Sequence, residues 1–229
     1  MIDKSQEKIS TMFDEIASSY DKLNHLFSAN MDKSWRRDII NYIKDNDINS
    51  NYVLDIACGT GDLTIELVKL EPVKITAIDI SDKMLSLLKS KINIKGLSTV
   101  CADAHDLPFE DEYFNLITIG FGIRNFENPE KSFSEIRRVL KKDGILVILE
   151  IFKSRGFINK IFNVYFGKLV SFIGNKISDS SAYSYLFKSV DAFFSIDEFL
   201  EVCKKNGFKA EHCRNNFFKI VNTVYLKKD

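Results

Sequence analysis

The chain has 229 residues, enough for a single α/β domain, and its 45% hydrophobic and 12% aromatic content supports a sizeable core. Its 32 basic and 32 acidic residues balance, which argues against a general nucleic-acid-binding protein, because such proteins carry a basic excess. The N-terminal sequence MIDKSQEKIS has no apolar signal-peptide core, and no apolar run approaches the roughly 20 residues of a spanning helix. We therefore expect a cytoplasmic protein that binds no nucleic acid.

Helical and strand patterns alternate after a helical N-terminal segment, residues 5–45. The strand candidates are apolar runs of the kind that parallel sheets bury on both faces. Strands that alternate with helices predict right-handed crossovers and a doubly wound α/β sheet. The predicted strands cover residues 52–57, 74–80, 98–103, 114–122 and 145–151.

Capping residues mark the ends of several predicted helices. Ser81 is placed to cap the helix after the second strand, and Asn128 followed by Pro129 marks the start of the helix after the fourth strand. Gly144 is predicted to follow the end of that helix. A later helix starts with a capping-box pattern in the sequence SIDE and ends at Gly207.

The alternation ends after residue 152. Residues 153–191 are rich in Phe and Lys, and a helical stripe of apolar residues from Phe157 to Ile173 is flanked by basic residues only. Such a helix faces a membrane, a partner or the core, and we expect a groove for a lipid tail or a membrane face. Two strand-like runs, 208–213 and 219–226, are predicted to close the sheet.

The four cysteines show no CxxC pair, and no His stands beside them at the spacing of metal ligands. We therefore expect reduced, buried thiols and no metal site. They are Cys58, Cys101, Cys203 and Cys213.

Glycines and acidic residues lie at the ends of the first three strands, where doubly wound sheets bind their ligands. Gly59 and Gly61 form the first strand-to-helix turn, and glycine lets a ligand approach the backbone closely. Asp79, about 20 residues on, can accept hydrogen bonds from both hydroxyls of a ribose. Asp103 can accept from an adenine amine, and Asp55 lies just inside the first strand.

Two details favour a cationic nucleoside ligand over a dinucleotide. Thr64 occupies the place of the third glycine in the GxGxxG pattern, which disfavours a nicotinamide dehydrogenase. Three acidic residues suit S-adenosylmethionine (SAM), which carries a sulfonium and an ammonium, better than a pyrophosphate. We therefore predict SAM as the cofactor, with helix capping or a solvated loop as the alternative for Asp79 or Asp103 taken singly.

Longer motifs make the chain resemble the quinone C-methyltransferases of menaquinone and ubiquinone biosynthesis, within the class I methyltransferases. MFDEIASSYDKLNHLFSANMDKSWRR matches the family's YDxxN…S…WR segment, DIACGTGDLT its cofactor loop, and LPFEDEYFNLITIGFGIRNF its most specific block. The resemblance covers nearly the whole chain. One departure is the sequence Met-Asp-Lys at 31–33, where many relatives have a histidine.

The resemblance implies a Rossmann-like, mostly parallel sheet with an antiparallel C-terminal strand. It also implies SAM-dependent C-methylation of demethylmenaquinol, a polyprenyl naphthoquinol. Methylation of a polyprenyl benzoquinol and a non-catalytic adenosine-ligand module stay open as alternatives, as do a homodimer and peripheral contact with the inner face of the membrane.

The chemistry of the implied reaction predicts roles for two polar residues that follow the fourth strand, at the end that faces the ligand crevice. Arg124 is predicted to stabilise negative charge on the quinol oxygen, and Asn125 to hold that oxygen. Their alternative is a pair between Arg124 and a surface acid, with Asn125 merely turning the chain. The cofactor contacts carried over are Thr60, Asp79, Asp103, Ala104 and Gly120.

The N-terminal helical residues are predicted to form a lid that includes Tyr20, Asp21 and Asn24, with packing of an amphipathic helix as the alternative for the first two. We therefore expect one methyltransferase domain over residues 1–229. Its parts are the lid (1–45), a cofactor-binding core (50–152), a helical substrate insertion (153–191) and the C-terminal sheet closure (192–229).

Overall fold

A computed structural model of the chain describes residues 3–153, 185 and 188–229. Within these ranges, seven strands form one sheet: β1 Tyr52–Ile56, β2 Lys74–Asp79, β3 Leu97–Cys101, β4 Phe114–Gly120, β5 Leu140–Ile151, β6 Phe208–Phe217 and β7 Val221–Lys228. Their order in the sheet is β3-β2-β1-β4-β5-β7-β6. The first five strands are parallel, and β7 runs antiparallel to both β5 and β6. This confirms the predicted doubly wound sheet.

Helices cover both faces of the sheet because neighbouring residues of each central strand point to opposite sides. These helices include α1 Gln6–Phe27, α2 Met31–Asp45, α3 Asp62–Leu67, α4 Asp82–Lys91, α5 Pro129–Val139 and α6 Ile196–Lys205. On one face, Val53 of β1 packs with Trp35 and Ile39 of α2. On the other face, Leu54 belongs to a cluster that includes Phe133 of α5 and Phe199 of α6.

The predicted caps are confirmed. The Ser81 side chain accepts a hydrogen bond from the backbone N–H of Met84 at the start of α4. Asn128 accepts from the N–H of Lys131 at the start of α5. Ser195 and Glu198 form both bonds of a capping box at α6.

The prediction that Gly144 follows the end of a helix is wrong. Helix α5 ends at Val139, and β5 begins at once with Leu140, which is fully buried and pairs with Phe114. The pairing then moves to Ile145 opposite Leu116, so the residues between them bulge out of the ladder. Gly144 lies in this bulge, where a Cβ would approach the Leu140 side chain within 2.5 Å.

The prediction of buried thiols holds for Cys58 and Cys203 and is wrong for Cys101 and Cys213, which are exposed. All four are free cysteines. The exposed pair lies on β3 and β6, the two edge strands, each of which has a neighbouring strand on one side only in the described part of the chain. A strand-like sequence does not reveal whether its strand lies at the edge of a sheet.

The predicted helix from Phe157 to Ile173 lies outside the described residues. Among the residues that the structure does describe, no helix is long and apolar enough to cross a membrane.

Candidate active site

A cavity of about 720 Å³ lies at the carboxyl ends of β1 to β4. This is the edge at which doubly wound sheets bind ligands. The structure brings several predicted cofactor residues together on its wall, although their role in binding stays a prediction. These residues are Gly59, Asp79, Asp103, Ala104 and Gly120.

The turn after β1 depends on its glycines. Gly59 and Gly61 have φ angles of +55° and +88°, in the left-handed region that side chains disfavour. A Cβ on Gly61 would come within 2.1 Å of the Leu88 side chain on α4. Gly61 therefore lets the turn pack against α4 and is absent from the cavity wall.

Asp79 is buried at the end of β2, with one face toward the cavity. Its two carboxylate oxygens accept backbone N–H bonds from Gly59 (2.8 Å) and Ser81 (2.9 Å). Burial raises the pKa of Asp79 to about 6, although these hydrogen bonds favour the ionised form. A carboxylate has about four acceptor sites, so sites remain for ligand hydroxyls.

Asp103 is held by His105, a residue that no sequence pattern marked as functional. One Asp103 oxygen accepts from the backbone N–H of His105 (2.9 Å) and lies 2.5 Å from its ring Nδ1. The other ring nitrogen, Nε2, accepts from the N–H of Asn128 (3.0 Å), so the proton of a neutral ring is on Nδ1. His105 thereby fixes the direction of the Asp103 carboxylate.

The structure does not bring Asp55 to the cavity wall. Its carboxylate is buried and accepts the hydroxyls of Thr64 (2.6 Å) and of Thr118 (2.7 Å), its neighbour across the β1–β4 pairing. Thr64, which replaces the third glycine of the dinucleotide motif, therefore supplies a hydrogen-bond donor to a buried carboxylate. Burial raises the pKa of Asp55 to about 6 despite these hydrogen bonds.

We expect Asp55 to make stability depend on pH. The folded-state pKa lies above the ordinary value of 3.8, so the folded protein binds the extra proton, and the contribution of Asp55 to stability is greatest at low pH. That contribution is lost as the pH rises from about 4 through about 6. Between pH 4 and 7, the unfolding free energy of Asp55→Asn, measured by urea denaturation, should therefore rise by about 2 kcal/mol relative to that of the parent. A difference that is constant with pH would contradict this prediction.

Helix α1 lies over the cavity and contributes Ile9, Phe13 and Tyr20 to its wall. The carboxylate of Asp21 accepts the Thr60 hydroxyl and pairs with Lys91 Nζ of α4 at 2.6 Å. The Thr60 hydroxyl is thus bonded to the helix above it, and Thr60 is not on the cavity wall. This placement of α1 is the one that a lid requires.

A charged cluster ties the end of α1 to α2 and α3. His25 Nδ1 lies 2.8 Å from Asp32 Oδ2, and its Nε2 lies 3.7 Å from Asp62 Oδ2. These three residues have the spacing of metal ligands. Arg36 pairs with both carboxylates, so a guanidinium already supplies the positive charge that a cation would bring.

Arg124 and Asn125 are buried in a short 3₁₀ turn that follows β4. Arg124 Nη1 donates to Glu150 Oε1 of β5 (2.6 Å) and to the carbonyl of Phe121 (2.7 Å). Glu150 is fully buried, so the alternative of a surface acid as the partner is wrong. Sequence reasoning missed Glu150. The signal that could have found it is a single charged residue within the apolar strand at 145–151.

Lys4 is a second residue that sequence reasoning missed. It lies on the cavity wall, and its Nζ donates to the carbonyl of Arg124 (2.5 Å). Burial lowers its pKa, and the nearby Arg124 lowers it further.

A second pocket of about 400 Å³ lies between α1 and the Arg124 turn. Arg124 and Asn125 supply its polar wall together with Tyr185, whose hydroxyl donates to Asn125 Oδ1 (3.3 Å). Phe13, Tyr20 and Asn125 line both pockets, so the two spaces adjoin. Among the described residues, the rest of the wall comes from α1 and is mostly apolar: Met12, Ile16, Leu23, Asn24 and Phe27.

The geometry thus joins two chemically different spaces. The first has carboxylates suited to hydroxyl and amine donors, and the second has an apolar wall and a buried guanidinium. Such a pair can hold a polar group donor beside an apolar acceptor whose reaction develops negative charge.

Comparison with known proteins gives consistent results. The model of the ubiE/COQ5 methyltransferase family matches residues 1–225. A demethylmenaquinone methyltransferase from Thermotoga maritima is 39% identical over 210 residues, and the match covers 90% of this chain and 90% of that protein. A ubiquinone/menaquinone biosynthesis C-methyltransferase from Geotalea daltonii is 40% identical over 89% of this chain and 88% of that protein.

Solved structures share the fold. The crystal structure of a SAM-dependent methyltransferase from Thermotoga maritima superposes with a TM-score of 0.67 at 18% identity, over 96% of this chain and 99% of that chain. At this identity, the likeness concerns the fold alone.

Proposed function

Because this chain belongs to the ubiE/COQ5 methyltransferase family, we propose that it methylates a ring carbon of demethylmenaquinol in menaquinone biosynthesis. SAM is the methyl donor of this enzyme. The observation that carries the choice of an apolar, quinol-like substrate is the second pocket, which adjoins the first and contains Arg124 and Asn125. The relatives named demethylmenaquinone methyltransferase support the naphthoquinol.

The residues of the first cavity fit SAM. Asp79 would hold the ribose hydroxyls, and Asp103 would accept from the adenine amine. Ala104 and Gly120 leave room beside them, and Ile80, Met84 and Phe126 offer apolar surface for the base. When bound, SAM supplies an electrophilic methyl group on its sulfonium. Thr60 acts on the cofactor indirectly in this proposal. Its hydroxyl donates to Asp21 of α1 and so holds the lid over the cavity.

Arg124 and Asn125 act on the quinol in this proposal. The ring carbon becomes nucleophilic as a quinol hydroxyl loses its proton, and the Arg124 guanidinium stabilises the negative charge that develops on that oxygen. Arg124 is not the base, since a guanidinium stays protonated in proteins. Asn125 positions the ring oxygen by a hydrogen bond, and the apolar wall formed by α1 receives the start of the polyprenyl tail.

A second substrate is supported by the name of the Geotalea daltonii relative, which covers ubiquinone as well as menaquinone biosynthesis. The two candidates differ in the ring, a naphthoquinol in one case and a benzoquinol in the other. A non-catalytic adenosine-ligand module is a third hypothesis.

Quinone profiling by mass spectrometry of cells that lack the protein is expected to show accumulated demethylmenaquinone. Re-expression of the parent chain should restore menaquinone, and so should Arg37→Lys, a control that changes an exposed arginine of α2. Accumulation of the unmethylated benzoquinol instead would select the second candidate. An unchanged quinone pool, with no methyl transfer by the purified protein, would support the non-catalytic module.

A further inference from the structure

The turn between β6 and β7 has an unusual backbone. Phe218 and Lys219 have φ angles of +43° and +60°, and the N–H of Ile220 donates to the carbonyl of Phe217 at 2.7 Å. Tight hairpin turns with two positive φ angles favour Asn-Gly, because side chains disfavour that region. Here both positions carry large side chains, and such strain is found mainly where the surrounding structure enforces it for function.

The surrounding residues hold this turn in place. Asn215 Oδ1 accepts from the N–H of Lys219 (2.8 Å), and Asn222 Nδ2 donates to the Lys219 carbonyl (2.9 Å). The half-buried ring of Phe217 supports Phe218 edge-on, with ring centroids 4.9 Å apart. These contacts fix the conformation of the turn, in which Phe218 is 64% exposed to solvent.

The turn lies at the same edge of the sheet as the candidate active site. The N–H of Phe152, directly after β5, donates to the Ile220 carbonyl at 2.6 Å. Asn222 of β7 lies opposite Glu150, the partner of Arg124. Lys219 of the turn precedes Asn222 by three residues, so the turn lies about 10 Å from Glu150 along the strand direction, at about 3.3 Å per residue.

Basic residues flank the turn. Lys219 is in the turn, and Lys153 follows Phe152, which is bonded to the turn. Neither residues 151–153 nor residues 212–228 include an Asp or Glu, although acids and bases balance over the whole chain. An exposed aromatic ring among basic residues complements an anionic lipid surface.

We propose that the Phe217–Lys219 turn docks on the anionic surface of a lipid bilayer, with the Phe218 ring inserted among the lipids. The proposal deepens the proposed function, on which it rests, because a polyprenyl quinol is dissolved in the membrane. The turn would hold the mouth of the quinol pocket at the bilayer and shorten the path of the substrate.

Tryptophan fluorescence tests this proposal, because the native Trp35 is buried and gives a constant background. Phe218→Trp should shift its emission to shorter wavelength with vesicles of phosphatidylglycerol and phosphatidylcholine, and less with phosphatidylcholine alone. Val73→Trp is the matched control, since Val73 is 63% exposed but precedes β2 at the opposite edge of the sheet. It should show no shift.

Vesicle sedimentation gives a second measurement. Phe218→Ser should weaken binding to the anionic vesicles roughly tenfold, and Val73→Ser should leave it unchanged. Lys219→Glu should weaken it most at low salt. Methylation of a quinol with a short, water-soluble tail should be normal in the Phe218 and Lys219 variants, because the ring site is elsewhere.

Absence of the fluorescence shift, or an equal shift for Val73→Trp, would overturn the proposal. A parent dimer that Phe218→Ser dissociates, without any vesicle binding, would also overturn it by assigning the turn to a second copy of the chain. Vesicle binding without methylation of any quinol would reject the proposed function and leave the lipid-binding turn standing.

Discussion

Replacing Arg124 with lysine is expected to lower turnover roughly 10²- to 10³-fold while leaving SAM affinity nearly unchanged. Arg124 follows β4 and lies in the apolar pocket, outside the wall of the cavity that contains Asp79 and Asp103. Lysine keeps the charge but loses the planar group that bonds Glu150 and the Phe121 carbonyl at once. The charge is then no longer held where the quinol oxygen becomes negative.

Glu150 makes this prediction sharper. If it orients Arg124, then Glu150→Gln should also lower turnover, although Glu150 is fully buried at the end of β5. An amide of the same shape keeps the packing but weakens the hold on the guanidinium, because charge-assisted hydrogen bonds are the stronger ones. Arg124→Ala is the less useful variant, because it leaves Glu150 buried without its countercharge and destabilises the fold.

Single-turnover rates and calorimetric titration with SAM measure the two effects separately. Arg37→Lys is the matched control, since Arg37 is exposed on α2 and should be neutral in both measurements. Loss of SAM affinity in Arg124→Lys, with turnover normal at saturating SAM, would place Arg124 in the cofactor site and refute its role at the quinol.

The sheet could be predicted from the sequence because its evidence is local. Apolar runs of strand length, separated by helices with clear caps, leave few arrangements once right-handed crossovers are required. The start of β5 could not be predicted, because a helix-like sequence continues past Val139 to Gly144. The strand begins early there since pairing of Leu140 with Phe114 buries both residues, and that contact is tertiary.

Some residues of the candidate site could likewise be placed from the sequence, and others could not. Asp79 and Asp103 could be placed at one cavity because the ends of adjacent parallel strands meet at one edge. Asp55 was predicted with them from its position near a strand end, but its side chain bonds Thr118 across the sheet. The hold of His105 on Asp103 and of Glu150 on Arg124 depends on pairs distant in the chain, and no sequence motif records them.

Replacing Asp79 with alanine is expected to cost about 2–4 kcal/mol of SAM binding free energy, because two charge-assisted hydrogen bonds to the ribose are lost. Asp79→Asn keeps the shape of the side chain, and it should lose most of the same affinity because the charge is gone. Calorimetry on folded variants, verified by circular dichroism, measures this cost. Unchanged affinity in a folded Asp79→Ala protein would refute the assignment.

The pH dependence of binding gives an independent test of Asp79. The carboxylate accepts ribose hydroxyls best when it is ionised, and its pKa without ligand is raised to about 6 by burial. SAM affinity should therefore be full above this pH and fall as the pH drops below it, by up to about tenfold per unit. Asp79→Asn should remove this dependence.

Asp55→Asn is the matched control. Asp55 has a similarly raised pKa of about 6 but is absent from the cavity wall, so that variant should retain the pH dependence of SAM affinity. If affinity instead became flat in Asp55→Asn and kept its slope in Asp79→Asn, the cofactor would be bound through β1 and the proposed ribose contact would be wrong.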